Sequence, residues 1–391
     1  MVRSSYRNTY RTLTIFVMGL CWVLDSDEGR ADSTVVFKPY GFIHANVSAA
    51  SRGLASFGNE NQSAPTVVAP SVLATADRAR STFQVAQSRL GFFVEGDATQ
   101  GQLEVDFIDF TKASPNQSAN PRLRIANVDY RLDSRRTLSF GQTWDIFASP
   151  QKPFTYNIVG LYFEAGNVGF MRPQFRYTDH TESSWTVATA VGFPAKNTNS
   201  ADSELEKSGL PTLAITAIND AIHGLQWGGS VIAGAVRPSG ASAPLSQVYG
   251  LNTFLNTESE SGFKTRSSVY AGRNLASIGA LSLAAAADGQ SHAEMGGYFT
   301  FLSPVSSLVS VQGGFGGATV FESSGSALDS LANVSVNSNL KIELALAFHP
   351  QKQADIYIQS TYMNTNYTKT TNGGADSNTA VALQVGTVYR F

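Results

Sequence analysis

The chain has 391 residues, 15% of them charged, and a formal net charge of −2. That balance argues against nucleic acid or an acidic membrane surface as a partner, and 42% hydrophobic residues exclude a disordered chain. The one cysteine, Cys21, lies near the N-terminus and leaves the rest of the chain without thiol or disulfide chemistry.

Residues 1–31 read as a secretory signal. Arg3, Arg7 and Arg11 form a basic start, 12–24 an apolar core, and Ala31 a small residue at a cleavage point. The remaining 32–391 are read as one domain. They hold 24 basic and 27 acidic residues, a balance of −3. They contain no apolar run of about 18 residues, so any membrane-spanning form is built from strands.

The pattern after residue 31 has period two. A first strand is expected over 34–47, followed by a Ser/Ala/Pro-rich loop at 49–81. The second, 82–97, sets Leu90, Phe92 and Val94 against Arg89, Glu95 and Asp97. The third, 102–110, sets Leu103, Val105 and Phe107 against Glu104 and Asp106. The fourth, 122–132, sets Leu123 and Ile125 against Arg122 and Arg124. Its parity then slips to Val128 and Tyr130, so a bulge is expected near Ala126–Asn127. A strand at 137–144 precedes the long segment 145–169, rich in Pro and aromatics. The next, 171–178, places Phe175 and Tyr177 opposite Arg172, Gln174 and Arg176.

Further strands are expected around Trp185–Phe193, Leu213–Ala217, Leu225–Ala233, 263–270, 281–287, 293–301, 309–315, 340–348 and 356–364. The segment 237–261 is read as a loop, because a strand at 247–254 makes the count odd. The last strand, 379–391, alternates large apolar with small or polar residues and ends flush on Phe391. Short turns are expected near 98–100, 132–136, 179–183, 220–223, 273–278, 303–306 and 349–353, with long loops between. The fold class that follows is all-β: a transmembrane antiparallel β-barrel of about sixteen strands.

The segments S-R-L-G-F (88–92), G-Q-L-E-V-D-F (101–107), R-L-R-I-A (122–126) and L-S-F-G-Q-T-W-D-I-F (138–147), with the Y-R-F ending, resemble trimeric outer-membrane porins, within them the DcaP-like porins. Those porins typically carry a helical coiled-coil before the barrel, and here the first strand starts almost at once. The resemblance implies a homotrimer and passive uptake of small hydrophilic, often anionic, solutes such as dicarboxylates. It implies a location in the outer membrane of a Gram-negative bacterium, in contact with lipid and lipopolysaccharide. It implies a third loop, 145–169, folded inward, and a C-terminal strand read by the barrel-assembly machinery.

The inward parity nominates a pore wall of Arg89, Arg122, Arg124, Arg172 and Arg176, with Glu104 and Asp106 as candidate partners. Across from it the third loop offers Asp145 and Glu164. Trp144, Tyr389 and Phe391 are expected at the membrane interface. A competing reading is a surface or adhesion barrel whose loops 49–81, 194–210 and 237–261 bind a partner. Enzyme readings find little support. His44, His180, His223, His292 and His349 are scattered, there is no G-x-S-x-G elbow, and Asp179–His180 stands in a turn without a nucleophile. No metal or cofactor is expected.

Overall fold

The computed structural model describes residues 35–52, 79–108, 121–157, 161–169, 171–193, 210–237, 244–283, 285–286, 291–324, 336–367 and 377–391. The expected signal at 1–31 lies outside them. The strands are β1 (Val36–Ala50), β2 (Arg80–Gln84), β3 (Arg89–Glu95), β4 (Thr99–Asp106), β5 (Arg122–Arg131), β6 (Arg136–Trp144), β7 (Met171–His180), β8 (Trp185–Gly192) and β9 (Thr212–Ile222). They continue as β10 (Leu225–Val236), β11 (Ser246–Glu258), β12 (Lys264–Arg273), β13 (Ser291–Pro304), β14 (Val309–Ser324), β15 (Val336–Gln351), β16 (Ala354–Tyr367) and β17 (Ser377–Arg390).

Each strand pairs antiparallel with its neighbours, and β1 closes the sheet against β17. Strand β1 also pairs with β2 through 46–50 and with β3 through 36–42. β2 and β3 are therefore two halves of one wall strand, and sixteen strands encircle the barrel. The break falls at 85–88, where Ala86 turns in to pack on Ile108 and Phe107. Ser88 ties that kink to β1: its hydroxyl accepts from the His44 amide at 3.0 Å.

Closure at the C-terminus is explicit. The Phe391 amide donates to the Gly41 carbonyl and the Gly41 amide to the Phe391 carbonyl, both at 3.1 Å. Gly41 is required there, since a Cβ would lie 2.4 Å from the Arg89 carbonyl oxygen and 2.9 Å from the Phe391 ring.

Alternation sets the two faces. On β15, Leu340, Ile342, Leu344, Leu346 and Phe348 are exposed, while Lys341, Glu343, Ala345 and Ala347 are buried. In a soluble protein that pattern is inverted. Here the apolar side chains form the outer belt and the polar ones line the interior, as a bilayer requires. At the short-turn end, Trp185 and Trp227 meet edge to face at 5.1 Å. Tyr389 and Phe391, both exposed, stand at the same end of the wall.

Two expectations fail together. Segment 246–258, read as loop, is β11. Its Tyr249, Leu251 and Leu255 point out and its Val248, Asn252 and Asn256 point in. Segment 281–287, read as a strand, contributes none among its described residues. It follows a short 3₁₀ turn (Leu275–Ile278) whose Leu275 and Ile278 are fully buried inside the barrel. Accordingly 273–278 is no short turn. The short connection is 259–263, where the Ser259 amide donates to the Phe263 carbonyl. The two errors cancel, which preserves the count.

The bulge also moves. Glu104 pairs with Ile125 and Val105 with Leu123, so Arg124 is the extra residue. Ile125, expected outside, is buried.

Candidate functional site

The lumen carries two polar sectors and a segment that runs between them. The first sector is built by β3 to β7. The bulge aims Arg124 into the barrel, where it is 2% exposed. Its Nε donates to Glu104 Oε1 at 2.7 Å and its Nη1 to Asp106 Oδ2 at 2.9 Å. Arg122 forks onto the same Asp106, Nε to Oδ1 at 2.9 Å and Nη2 to Oδ2 at 2.6 Å. Arg89, opposite Asp106 in the ladder, lies in the field of Arg124, Glu104 and Asp106. On β7, Arg172 Nη2 stands 2.5 Å from Asp145 Oδ2. Arg176 donates to the Trp144 carbonyl at 2.5 Å. All five nominated arginines, with Glu104, Asp106 and Asp145, thus share one stretch of inner wall.

Segment 145–169 leaves this sector at once. Phe147, fully buried, sits under β10 and β11, and its carbonyl accepts from Ser230 Oγ at 2.6 Å and Asn252 Nδ2 at 2.9 Å. Phe147, Ile146 and Val168 join Ile232, Val248, Tyr270, Leu275 and Ile278 in an apolar cluster on that side of the interior. The chain then reaches the far wall. The Phe154 amide donates to Thr300 Oγ1 and the Tyr156 amide to Gln359 Oε1, at 3.2 and 2.9 Å. The Tyr156 ring stacks on Tyr357 at 3.8 Å and its hydroxyl donates to Asp355 at 3.2 Å. Returning, Tyr162 and Phe163 are buried, and the Glu164 carbonyl accepts from Asn339 Nδ2 on β15 at 3.2 Å.

Asp145 and Glu164, expected together on a loop facing the arginines, are therefore apart. Asp145 belongs to the basic sector and Glu164 to the far wall, beside Glu294. Burial, and secondarily the Glu294 charge, push the Glu164 carboxyl up to about 8.

Trp144 is a correction as well. Its ring packs on Leu161, Phe163 and Leu281, and the Lys152 ammonium lies 3.9 Å from its centroid. It faces the inside, because it is the last residue before the segment that folds in, and it forms no part of an outer girdle.

Sequence reasoning missed a third group. His349 bridges Ser310 (2.7 Å) and Asp355 (2.8 Å), and Arg390 Nη2 donates to Asp355 at 2.6 Å. With Phe42, Phe154 and Tyr156 these residues line a cavity of about 290 Å³ at the short-turn end. His349, Asp355 and Arg390 come from β15, the start of β16 and the end of β17, so only the register brings them together. Lys341 and Glu343, paired at 2.6 Å, were legible as inward by parity alone.

The segment's seat is cut to fit. A Cβ on Gly316 would meet the Ala165 carbonyl oxygen at 2.2 Å and the Tyr162 ring at 2.9 Å. One on Gly317, facing outward, would meet nothing closer than 3.4 Å. Gly316→Ala is therefore expected to lift the segment off the wall and raise single-channel conductance and its noise, with strand content by circular dichroism unchanged. Gly317→Ala is expected to behave as the parent in the same bilayer recordings.

No protein-family profile and no curated protein matches the chain's sequence. Solved structures do match its fold. The DcaP outer-membrane channel of Acinetobacter baumannii superimposes with a TM-score of 0.68 at 15% identity, over 93% of this chain and 99% of that one. An anion-selective porin from Comamonas acidovorans gives 0.58 at 11%, over 92% and 100%. OprB of Pseudomonas putida gives 0.54 at 9%, over 96% and 97%. The fold agrees with the resemblance to DcaP-like porins that the motifs carry. The chain forms a closed sixteen-stranded barrel of the outer-membrane porin type, and its apolar outer belt makes it an integral protein of that membrane.

Proposed function

We propose that the barrel is a homotrimeric diffusion channel for small hydrophilic solutes, with a mild preference for anions. The observation that supports this reading is the unequal charge across the interior. On the β3–β7 side, Arg89, Arg122, Arg124, Arg172, Arg176 and Lys152 outnumber Glu104, Asp106, Asp129 and Asp145. On the side of β13 to β15, Glu294 and Glu343 outnumber Lys341. A solute passing between them meets a transverse field that orients its dipole, and an excess of positive charge along one wall. The comparison with an anion-selective porin is consistent with that preference and rests on fold alone.

The reading contains no catalytic step. His180 Nδ1 is 2.9 Å from Thr186 Oγ1, and Asp179 lies 3.8 Å from Arg135. The surface-barrel alternative rests on three loops. Much of loops 49–81 and 194–210 lies outside the described residues, and most of the third candidate loop is strand β11.

The test is the reversal potential of the mature protein in a planar bilayer across a salt gradient. Anion preference is expected at pH 7 and is expected to fall as pH rises through about 8. Burial pushes the Lys152 ammonium down to about 8; Asp145 opposes that shift and Arg124 adds to it. The lysine is charged below that value and neutral above it, so one lumen cation is lost on the basic side. Glu164, pushed up to about the same value, gains its negative charge in the same range, so Lys152→Gln is expected to reduce the pH dependence without abolishing it. Cation preference at pH 7 sinks the anion assignment, and a three-subunit mass by light scattering checks the trimer.

A further inference from the structure

Three residues of the inner wall at the short-turn end stand in the order nucleophile, base and orienter. Ser310 Oγ lies 2.7 Å from His349 Nε2, and His349 Nδ1 lies 2.8 Å from Asp355 Oδ1. Sheet register makes the arrangement. Phe348 pairs with Ile356, so His349 and Asp355 meet one step nearer the turn of the β15–β16 hairpin. Ser310 pairs with Ala347, two residues before His349 on the same inward parity. The His349 amide donates to the Leu308 carbonyl at 2.7 Å, which fixes the imidazole's backbone against the start of β14.

The direction of each contact follows from the partners. Asp355 Oδ2 accepts from the Arg390 guanidinium at 2.6 Å and from the Tyr156 hydroxyl at 3.2 Å, which leaves Oδ1 for the imidazole. A carboxylate paired with arginine is an acceptor only, so the imidazole proton sits on Nδ1 and Nε2 accepts from the Ser310 hydroxyl. That is the tautomer a general base needs to activate a hydroxyl. Ser310, His349 and Asp355 all line the cavity of about 290 Å³. Gln312, two residues on along the same face of β14, and Arg390 bring N–H donors to that cavity, which a developing oxyanion requires. Phe42, Phe154 and Val388 supply its apolar wall.

We propose that Ser310, His349 and Asp355 form a hydrolytic triad for small carboxylic esters that reach the barrel interior. Ser310 Oγ attacks the ester carbonyl carbon while its proton passes to His349 Nε2. The tetrahedral adduct collapses, the C–O bond to the alcohol breaks, and Nε2 gives the proton to the leaving oxygen. A water molecule then passes a proton to Nε2 and attacks the acyl-serine. The acid departs and Ser310 Oγ regains its proton, so one ester and one water yield one acid and one alcohol. Ser310 and His349 are the catalytic residues, and Asp355 is a positioning residue that holds the imidazole. The size of the cavity restricts the ester to a short acyl chain or a single ring. The hydrolytic step stands beside the channel reading and does not depend on it.

The experiment uses the full mature protein, folded in detergent, with folding of every variant checked by heat-modifiable migration on a gel. Diisopropyl fluorophosphate is the first probe: attack of the serine oxygen at phosphorus expels fluoride and leaves the diisopropylphosphoryl group on Ser310. Mass spectrometry is expected to find that label on the peptide carrying Ser310, and to find none there in Ser310→Ala. His349→Gln is expected to slow labelling by about a hundredfold or more. The second probe is p-nitrophenyl acetate, with release of p-nitrophenol in the parent read against Ser310→Ala. Asp355→Asn is expected to lower kcat by about a hundredfold or more at unchanged KM, because the imidazole loses the acceptor that keeps its proton on Nδ1. A merely structural Asp355 shows in unfolding and leaves kcat of the folded variant unmoved. Folded parent that takes no label on Ser310 overturns the proposal, as does hydrolysis of p-nitrophenyl acetate at equal rates by the parent and Ser310→Ala. Conductance recorded on the same samples separates this result from the channel assignment. Labelling of a non-conducting barrel leaves the triad standing, and conduction without labelling leaves the channel standing.

Discussion

Leu344→Arg is expected to destabilise the folded barrel by about 2–4 kcal/mol, the cost of an arginine on the lipid face near the bilayer midplane. Leu344 sits midway along β15, 58% exposed, with Ile342 and Leu346 on the same outer face. Its ladder partners are Gly313 on β14 and Ser360 on β16, so no large neighbour shields a guanidinium there. In water the same substitution at so exposed a site changes stability little. The sign therefore separates a lipid-facing belt from a solvated one. Leu344→Ala is the control for lost packing, and equilibrium unfolding of protein folded into lipid vesicles is the measurement. An arginine variant as stable as the alanine variant contradicts the orientation of the whole sheet.

Arg124→Ala is expected to give the second large effect. Both carboxylates that Arg124 holds are buried, Asp106 completely, and the guanidinium is their shared donor. Removing one member of a buried pair costs about 3–5 kcal/mol in a dry interior. Beside a hydrated channel, water offsets part of that, and a loss of about 1–3 kcal/mol is expected. Arg122 keeps Asp106 partly paired, and Tyr40 still donates to Glu104 Oε2 at 3.2 Å, which limits the damage. The same substitution removes one positive charge and uncovers Glu104, so anion preference falls along with stability. Arg124→Lys restores the charge but not the two-pronged contact with separate carboxylates, and is expected to rescue selectivity more than stability. Vesicle unfolding and reversal potential, read on the three proteins together, distinguish these contributions.

Much of this architecture was legible in the sequence because lipid and water impose opposite demands on alternate residues. Strands such as β15 and β17 declare their faces by parity, and the nominated arginines follow from it. The failures have identifiable physical causes. β11 was passed over although Tyr249, Leu251 and Leu255 alternate cleanly with Val248, Asn252 and Asn256, because the strand count was used to overrule the period. The run 281–287 read as wall because residues buried inside a barrel, such as Leu281, look like residues facing lipid. Trp144 misled for the same reason: an aromatic at a strand end serves an outer girdle or an inner plug equally well. The bulge at Arg124 was displaced by a few residues, since a parity slip shows that an extra residue exists but not which one it is. The groups at Asp355 and Glu294 were invisible, because pairs such as His349 and Arg390, or Glu164 and Glu294, depend on register and on the path of a segment across the interior.

Single-channel recording of the mature protein in a planar bilayer decides whether the barrel is a water-filled channel narrowed by segment 145–169. Discrete, ohmic steps that scale with salt, grouped in threes, are expected, with larger steps for Gly316→Ala than for the parent or Gly317→Ala. Protein that migrates as a folded, heat-modifiable barrel yet gives no steps contradicts it.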